Sequence, residues 1–139
     1  MAESERETRT PETRGQIRSF RDLVAWQRAM RTARLVYEQT EVLPPRERFS
    51  LASQMNRAAV SVPSNIAEGY ARGTTAEFLR FLWIARGSLA EVDTQVELAA
   101  DVGLIAAGPD LNSAIAETDR VLRGLIRSLE QLPPSERKA

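Results

Sequence analysis

The sequence predicts an all-α fold, an antiparallel up-down-up-down four-helix bundle. Four segments of the 139-residue chain carry apolar residues at three- and four-residue spacing, which is the period of an amphipathic helix. No strand-like alternation of useful length appears, and the breaks between segments hold about three to eight residues, which favours antiparallel neighbours. The bundle is expected to cover residues 17–132, between disordered tails at 1–16 and 133–139.

The first two helices are separated by a pair of prolines. The first helix is expected from Asp22 to Thr40, and Pro44 ends the segment because proline disfavours helix in the residue before it. The second starts near Pro45 and continues through Pro63, which is expected to kink it. The residues expected to face the core are Leu23, Trp26, Met30, Ala33, Tyr37 and Thr40 in the first helix and Leu51, Met55, Ala58, Ala59, Val62 and Ile66 in the second.

The last two helices have clear start and stop signals. The third opens at Thr74 or Thr75, with Glu77 close to capping-box spacing, and Gly103 is a natural stop. The fourth follows Pro109. The residues expected to face the core are Phe78, Phe81, Leu82, Ala85, Leu89, Val92, Val96 and Ala99 in the third helix and Leu111, Ile115, Thr118, Leu122, Leu125, Leu129 and Leu132 in the fourth.

Composition excludes most classes of enzyme. The chain has no cysteine and no histidine, which removes thiolate nucleophiles, the usual general base and the usual zinc ligands. It has 19 basic and 19 acidic residues, so a strongly basic nucleic-acid binder is not indicated globally. No apolar run reaches the roughly 18 residues of a membrane span, and the charged N-terminus does not resemble a secretory signal. We expect a cytoplasmic protein with no cofactor, metal or membrane partner.

A row of carboxylates on the third helix is the remaining route to catalysis. Asp93, Glu97 and Asp101 recur at four-residue spacing, and carboxylates on bundle helices can hold magnesium for nucleotide hydrolysis. That chemistry needs a second acidic cluster, for which Glu117 and Asp119 are the nearby candidates. Their two-residue spacing puts them on different faces of the fourth helix. A solvated acidic face is the better interpretation, and we expect no enzyme.

A polar stripe lies beside the apolar one on the second helix and has a counterpart on the third. Its residues are Gln54, Arg57, Ser61, Asn65 and Glu68 on the second helix and Ser88, Glu91 and Gln95 on the third. Folding the helices together predicts an Arg57–Glu91 pair and brings Glu68 near Glu77, and Gly87 is expected to permit close helix approach. The main interpretation is a buried hydrogen-bond network that fixes helix register; a ligand or metal site and a subunit interface are alternatives.

Charge is distributed unevenly along the chain. Residues 14–40 contain six arginines and two carboxylates, whereas residues 74–103 contain two arginines and five carboxylates. We expect Arg18, Arg21 and Arg28, with Arg31 beside them, to lie on the outer face of the first helix. Such a row is either a solvated face or a strip that binds the phosphates of a nucleic acid.

The third helix has more apolar residues than one core-facing stripe needs. A bundle helix requires about three apolar positions in seven, and residues 78–84 offer six. Leu79 and Trp83 fall partly outside the main stripe, as do Ile84 and Val24. Exposed apolar patches usually mark a partner surface, so we expect Leu79 and Trp83 to lie in an interface between copies of the chain.

Three motifs resemble the small four-helix bundle proteins of the 23S rRNA intervening-sequence family. They are FRDLVAWQRAM (20–30), SVPSNIAEGYARG (61–73, preceded by LASQMNRAA) and FLRFLWIARGSLAEVDTQVELA (78–99). The resemblance implies a homopentamer of a kind often encoded within insertions in large-subunit ribosomal RNA genes. A related branch is the accessory protein of diversity-generating retroelements, a pentameric barrel that binds nucleic acid and a reverse transcriptase. The resemblance implies no catalytic residue.

Two classes of function therefore remain open. The first is a non-catalytic oligomeric scaffold that binds RNA, or a ribonucleoprotein such as a reverse transcriptase complex, through the basic face of the first helix. The second is a protein–protein adaptor that binds no nucleic acid.

Overall fold

The computed structural model describes residues 17–106, 108–133 and 137, and within these ranges it is helical with no strand. The prediction of an all-α chain of four helices is confirmed. The helices are α1 (Val24–Glu41), α2 (Leu51–Ala71), α3 (Thr75–Asp101) and α4 (Pro109–Glu130), and short 3-10 turns cover Phe20–Asp22 and Pro45–Glu47. The predicted tail at 1–16 and most of that at 133–139 lie outside the described residues.

The helix ends follow local capping chemistry. Ser19 and Asp22 form a capping box around the first 3-10 turn, so α1 begins at Val24 rather than at Asp22. Pro45 opens a separate 3-10 turn, and α2 begins later than predicted, at Leu51. The Thr74 hydroxyl accepts a hydrogen bond from the backbone N–H of Glu77 at 3.2 Å, which confirms the predicted start of α3.

Each helix packs against two others around one core. Helix α1 contacts α2 and α4, and α3 contacts the same two helices, while no diagonal pair is in contact in the described ranges. The α1/α2 side of the molecule therefore lies opposite the α3/α4 side. The largest fully buried side chains are those of Met55, Ile66, Leu82 and Leu122, which come from the middle and later helices.

The predicted core face of α1 is only partly correct, because Leu23, Ala33 and Thr40 are buried as predicted whereas Trp26, Met30 and Tyr37 are not. Small residues fill the core from this helix, namely Ala25, Ala29, Thr32, Ala33, Val36 and Thr40. Trp26 and Met30 are half-buried and Tyr37 is 44% exposed, so these large residues lie at the edge facing α2. The buried hydroxyls of Thr32 and Thr118 are 2.9 Å apart and join α1 to α4. Thr118 is buried as predicted, whereas Thr32 occupies a core position that the sequence pattern does not indicate.

Close approach between α2 and α3 occurs at Gly69, not at Gly87 as predicted. A β-carbon added to Gly69 would lie 2.6 Å from Phe81 Cβ and 3.3 Å from Phe78 Cδ1, which is too close for any other residue without movement. A β-carbon added to Gly87 would meet nothing within 4 Å. Gly73 lies in the turn between α2 and α3, where its backbone adopts the left-handed region with a φ of 85°.

We predict that Gly69→Ala destabilises the fold by about 1–3 kcal/mol, because the added methyl group pushes α2 away from Phe81. Gly124→Ala is the matched control, because Gly124 is also inside a helix but has open space at the β-carbon. It should raise the free energy of unfolding by about 0.5–1 kcal/mol. Urea denaturation measures both, and equal effects of the two variants would contradict the assigned role of Gly69.

Candidate nucleic-acid interface, polar cleft and apolar surfaces

The four predicted phosphate-binding arginines divide into two pairs. Arg18 and Arg21 are exposed in the segment before α1, and the Arg21 guanidinium lies 4.5 Å from the centroid of the Phe20 ring. Arg28 and Arg31 both bind Glu117 of α4; the closer contact is made by Arg28 Nε, and Arg31 Nη1 lies 4.0 Å from Oε2. Arg28 therefore faces α4, which corrects its predicted place on the outer face of the helix.

Glu117 limits what the arginine row can do as a phosphate site. One carboxylate shares two of the four cations, so a phosphate would compete with it for both. The Arg18 and Arg21 guanidiniums have no carboxylate partner among the described residues. More positive charge is therefore available to bind a phosphate at the start of α1 than in the middle of that helix.

Helix α4 adds cations that the sequence interpretation missed. Arg120 and Arg127 are exposed, have no carboxylate partner among the described residues, and lie two helical turns apart on one side of α4. Arg123 lies between them in sequence and binds Asp119 at 2.9 Å. Arg120 and Arg127 are seven residues apart and lie opposite the leucine stripe of α4. This pattern in the sequence would have indicated a second basic row. Helices α1 and α4 pack side by side, so two neighbouring helices carry exposed arginines.

The acidic residues of α3 and α4 meet only in part, because Asp93, Glu97 and Asp119 line one α3/α4 groove while Glu117 lies elsewhere. Glu117 turns toward α1, while Asp119 turns toward α3 and binds Arg86 at 3.1 Å, as expected from their two-residue spacing. Asp93, Glu97 and Asp101 are exposed along α3. The described part of the chain contains no group of three or more Asp and Glu side chains placed to hold a metal ion.

Part of the predicted polar network forms a cleft between α2 and α3. The Ser61 and Ser88 hydroxyls are 2.8 Å apart, and Asn65 Nδ2 donates to the Ser61 carbonyl at 2.8 Å and to its hydroxyl at 2.9 Å. Ser61 and Ser88 line a cleft of about 310 Å³ that Gln54 and Gln95 also line. The hydroxyl pair joins the two helices in one register.

The rest of the predicted network is not formed. Arg57 and Glu91 are exposed on the rim of the cleft, and neither has an ion-pair partner among the described residues, so the predicted pair is absent. An exposed pair gains little energy and must restrain two long side chains. Glu68 instead binds Arg72 at 3.0 Å. Gln54 is exposed, and Gln95 Oε1 is buried with no partner in the described ranges.

Arginines surround the carboxylates at the α2–α3 turn. Arg80 donates to Glu77 at 2.7 Å, and this hydrogen bond, helped by the positive charges of Arg80 and Arg72, holds the pKa of Glu77 below its usual value. The guanidiniums of Arg72 and Arg80 also lie 5.1 and 4.5 Å from the Phe81 ring centroid. The turn brings Glu68 and Glu77 to the same end of the molecule, with cations between them.

Two grooves remain open on opposite sides of the molecule, a mainly apolar one between α1 and α2 and one between α3 and α4 that also contains Arg86, Asp119 and Arg123. Trp83, which is 48% exposed, lies at the edge of an α3/α4 groove of about 910 Å³ that Gly87, Ala90 and Ala116 also line. Leu79 is half-buried beside it. The second surface is an α1/α2 groove of about 630 Å³ lined by Trp26, Met30, Tyr37, Val60 and Pro63. No helix in the described ranges is long and apolar enough to cross a membrane.

We predict that the coupling free energies from double-mutant cycles differ between the part of the α2–α3 polar network that is formed and the part that is not. Ser61→Ala and Ser88→Ala should couple by about 0.5–1.5 kcal/mol, because each removes the same hydrogen bond. Arg57→Met and Glu91→Leu in the same cleft should be additive within about 0.5 kcal/mol. Urea denaturation of each set measures the coupling, and a larger coupling for the charged pair would reverse this assignment.

The sequence and the fold were compared with known proteins. Residues 21–127 match the family described as 23S rRNA-intervening sequence protein. The structure is similar to that of a protein of unknown function from the S23 ribosomal protein family of Bacteroides thetaiotaomicron VPI-5482, with a TM-score of 0.69 and 21% identity, covering 75% of this chain and 96% of that one. No curated protein sequence matches the chain. Because the family match spans most of the four helices, the chain belongs to the 23S rRNA-intervening sequence protein family.

Proposed function

We propose that this protein is a non-catalytic, cytoplasmic, homo-oligomeric scaffold that binds RNA, or a ribonucleoprotein such as a reverse transcriptase complex, along the basic surface of α1. The observation that carries the proposal is a group of four exposed arginines that have no carboxylate partner in the described ranges, namely Arg18 and Arg21 before α1 and Arg120 and Arg127 on the adjacent α4. The family name supports an RNA context.

The proposed subunit is an up-down-up-down bundle. Thr40 near the end of α1 donates to Asn56 near the start of α2 at 2.9 Å. The Tyr70 hydroxyl near the end of α2 donates to the Ile17 carbonyl, before α1, at 3.2 Å. Both contacts favour antiparallel α1 and α2, and the short connections after α2 and α3 favour the same relation for the later helices.

A single subunit offers few phosphate contacts, and the affinity of a nucleic-acid complex grows with the number of phosphates neutralised. A homopentameric ring would repeat the same few arginines five times, so a chain of zero net charge would still present a basic band. The exposed aromatic residues lie away from this surface, since Trp83 is on α3, Phe49 is in the α1–α2 connection and Tyr37 is on the side of α1 that faces α2. Recognition would therefore follow backbone charge and shape more than base identity.

The alternative is a protein–protein adaptor that does not bind nucleic acid. Its support is the engagement of Arg28 and Arg31 with Glu117, which leaves the middle of the arginine row neutralised. In that case the remaining arginines contact only water and have no binding role.

We predict that the chain is oligomeric at micromolar concentration, because the apolar α1/α2 groove and the Trp83 side chain are both open in the single subunit. Light scattering after gel filtration should give a particle of about five times the 15.5 kDa subunit mass. Trp83→Ser should lower that mass without loss of helical content. A parent protein that elutes as a monodisperse single subunit would contradict the proposal.

We predict that Glu117→Gln strengthens RNA binding and steepens its salt dependence, because it releases two arginines for phosphate contact. Each released contact should add about 0.7–0.9 to the slope of log affinity against log salt for a single strand or duplex. Fluorescence anisotropy with a labelled RNA at several salt concentrations measures both quantities.

Asp119→Asn is the matched control for this experiment. It changes the net charge equally but releases Arg86 and Arg123 on the other side of α4, so it should have a smaller effect. The combined Arg18→Ala, Arg21→Ala and Arg28→Ala variant should bind more weakly with a shallower slope. If the parent binds no RNA even at low salt, the adaptor function replaces the scaffold.

A further inference from the structure

We propose that the cleft between α2 and α3 binds a small zwitterion, a free α-amino acid whose side chain carries an amide or a hydroxyl group. The cleft lies on α2 and α3, whereas the basic surface lies on α1 and α4, so the inference goes beyond the proposed function and does not depend on RNA binding. Three observations carry it: unpaired charges of opposite sign on the two walls, a buried amide oxygen without a donor, and a hydroxyl proton without an acceptor among the described residues.

The two walls of the cleft carry one unpaired charge of each sign. Arg57 lies on α2 and Glu91 on α3, and neither forms an ion pair with any described residue. Two opposite charges that line one cleft without contacting each other are both available to a ligand. A zwitterion satisfies both, because its carboxylate binds the guanidinium and its ammonium group binds the glutamate. Such a ligand also adds no net charge to the cleft.

An amide side chain lies next to each of these charges. Gln54 precedes Arg57 by three residues and Gln95 follows Glu91 by four, so each pair shares one face of its helix. Gln95 Oε1 is buried and has no hydrogen-bond partner among the described residues, which costs free energy unless a donor reaches it. An ammonium group bound by Glu91 has further N–H protons to donate to this oxygen. The Gln54 amide group can donate to the ligand carboxylate beside Arg57.

The serine pair at the other end of the cleft has one proton left to donate. Ser61 Oγ accepts a hydrogen bond from Asn65 Nδ2, and one hydrogen bond joins the Ser61 hydroxyl to that of the buried Ser88. That bond uses one of the two hydroxyl protons, and the other has no acceptor among the described residues. Ser88 lies about one helical turn from Glu91, so the side chain of the bound amino acid can reach it. A carbonyl or hydroxyl oxygen there accepts the remaining proton, which selects an amide or hydroxyl side chain.

The lining of the cleft disfavours other classes of ligand. Its volume of about 310 Å³ is near the lower end of the roughly 300–1,000 Å³ that ligand sites occupy, so it fits one small molecule. Ala58 is the one apolar side chain among the described residues that line it, so an apolar ligand gains little there. No aromatic ring in the described ranges lines the cleft to stack on a nucleobase, and Glu91 repels a phosphate.

Isothermal titration calorimetry of the full chain with L-glutamine tests the proposal. We expect saturable binding of one molecule per subunit. Glutaminamide lacks the carboxylate and glutaramate lacks the ammonium group, so each should bind at least about tenfold more weakly, because each loses a charge-assisted hydrogen bond. L-Norleucine, whose side chain has no oxygen to accept the serine proton, should also bind more weakly than L-glutamine.

Two variants assign the contacts to single residues. Arg57→Met should weaken L-glutamine binding and abolish the preference for L-glutamine over glutaminamide, while Glu91→Gln should abolish the preference over glutaramate. Each variant loses discrimination against one analogue only, which a general loss of structure would not produce. Arg120→Met and Glu97→Gln are the matched controls, because they remove the same charges at exposed positions outside the cleft. Both controls should bind L-glutamine like the parent.

Gln95→Leu separates binding from stability. It removes a buried oxygen that has no partner, so its melting temperature should equal or exceed that of the parent, while its affinity for L-glutamine should fall at least about tenfold. If asparagine, glutamine, serine and threonine all fail to bind the parent, or bind Arg57→Met equally well, the cleft holds only water and the inference is overturned. A parent that binds RNA but no amino acid would leave the scaffold standing, and one that binds L-glutamine but no RNA would leave only this inference.

Discussion

The close contact between α2 and α3 at Gly69 is the constraint on which much of the surrounding geometry depends. Gly69 lies on α2 just before the turn at Gly73. It lets the backbone of α2 approach Phe78 and Phe81 of α3. From that end the helices run past each other in one register, which brings Ser61 within 2.8 Å of Ser88 three turns away. The same contact places the Phe81 ring beneath Arg72 and Arg80. One missing side chain thus positions the turn and the polar cleft.

Sequence patterns predict the helices well because helix formation depends on local spacing, but they do not determine which face of a helix turns inward. On α1 the large residues Trp26 and Met30 outweigh Ala25 and Ala29 in any measure of hydrophobicity, yet the alanines occupy the core. The core contains large, fully buried side chains from other helices, among them Met55, Ile66 and Leu122, while α1 contributes small ones. On α3 the apolar stripe is long enough to identify its core face correctly.

The same limit applies to the candidate site. The helical spacing predicts that Arg28 lies on the outer face of α1. Its partner, Glu117, is 89 positions away in the sequence and becomes a neighbour only when α1 packs on α4. The Ser61–Ser88 contact was predictable because the α2–α3 turn fixes its register. The Arg57–Glu91 pair was not, because long exposed side chains follow solvation more than helix register. The openness around Gly87 depends on where α4 lies, which no local pattern records.

Helix α1 has two chemically different sides. The side toward α2 carries Trp26, Met30 and Tyr37 along an open groove. The side toward α4 carries Arg28 in a half-buried ion pair with Glu117, so a phosphate must displace Glu117 to bind Arg28. Assembly would then repeat, around a ring, a basic surface that is too weak in one copy.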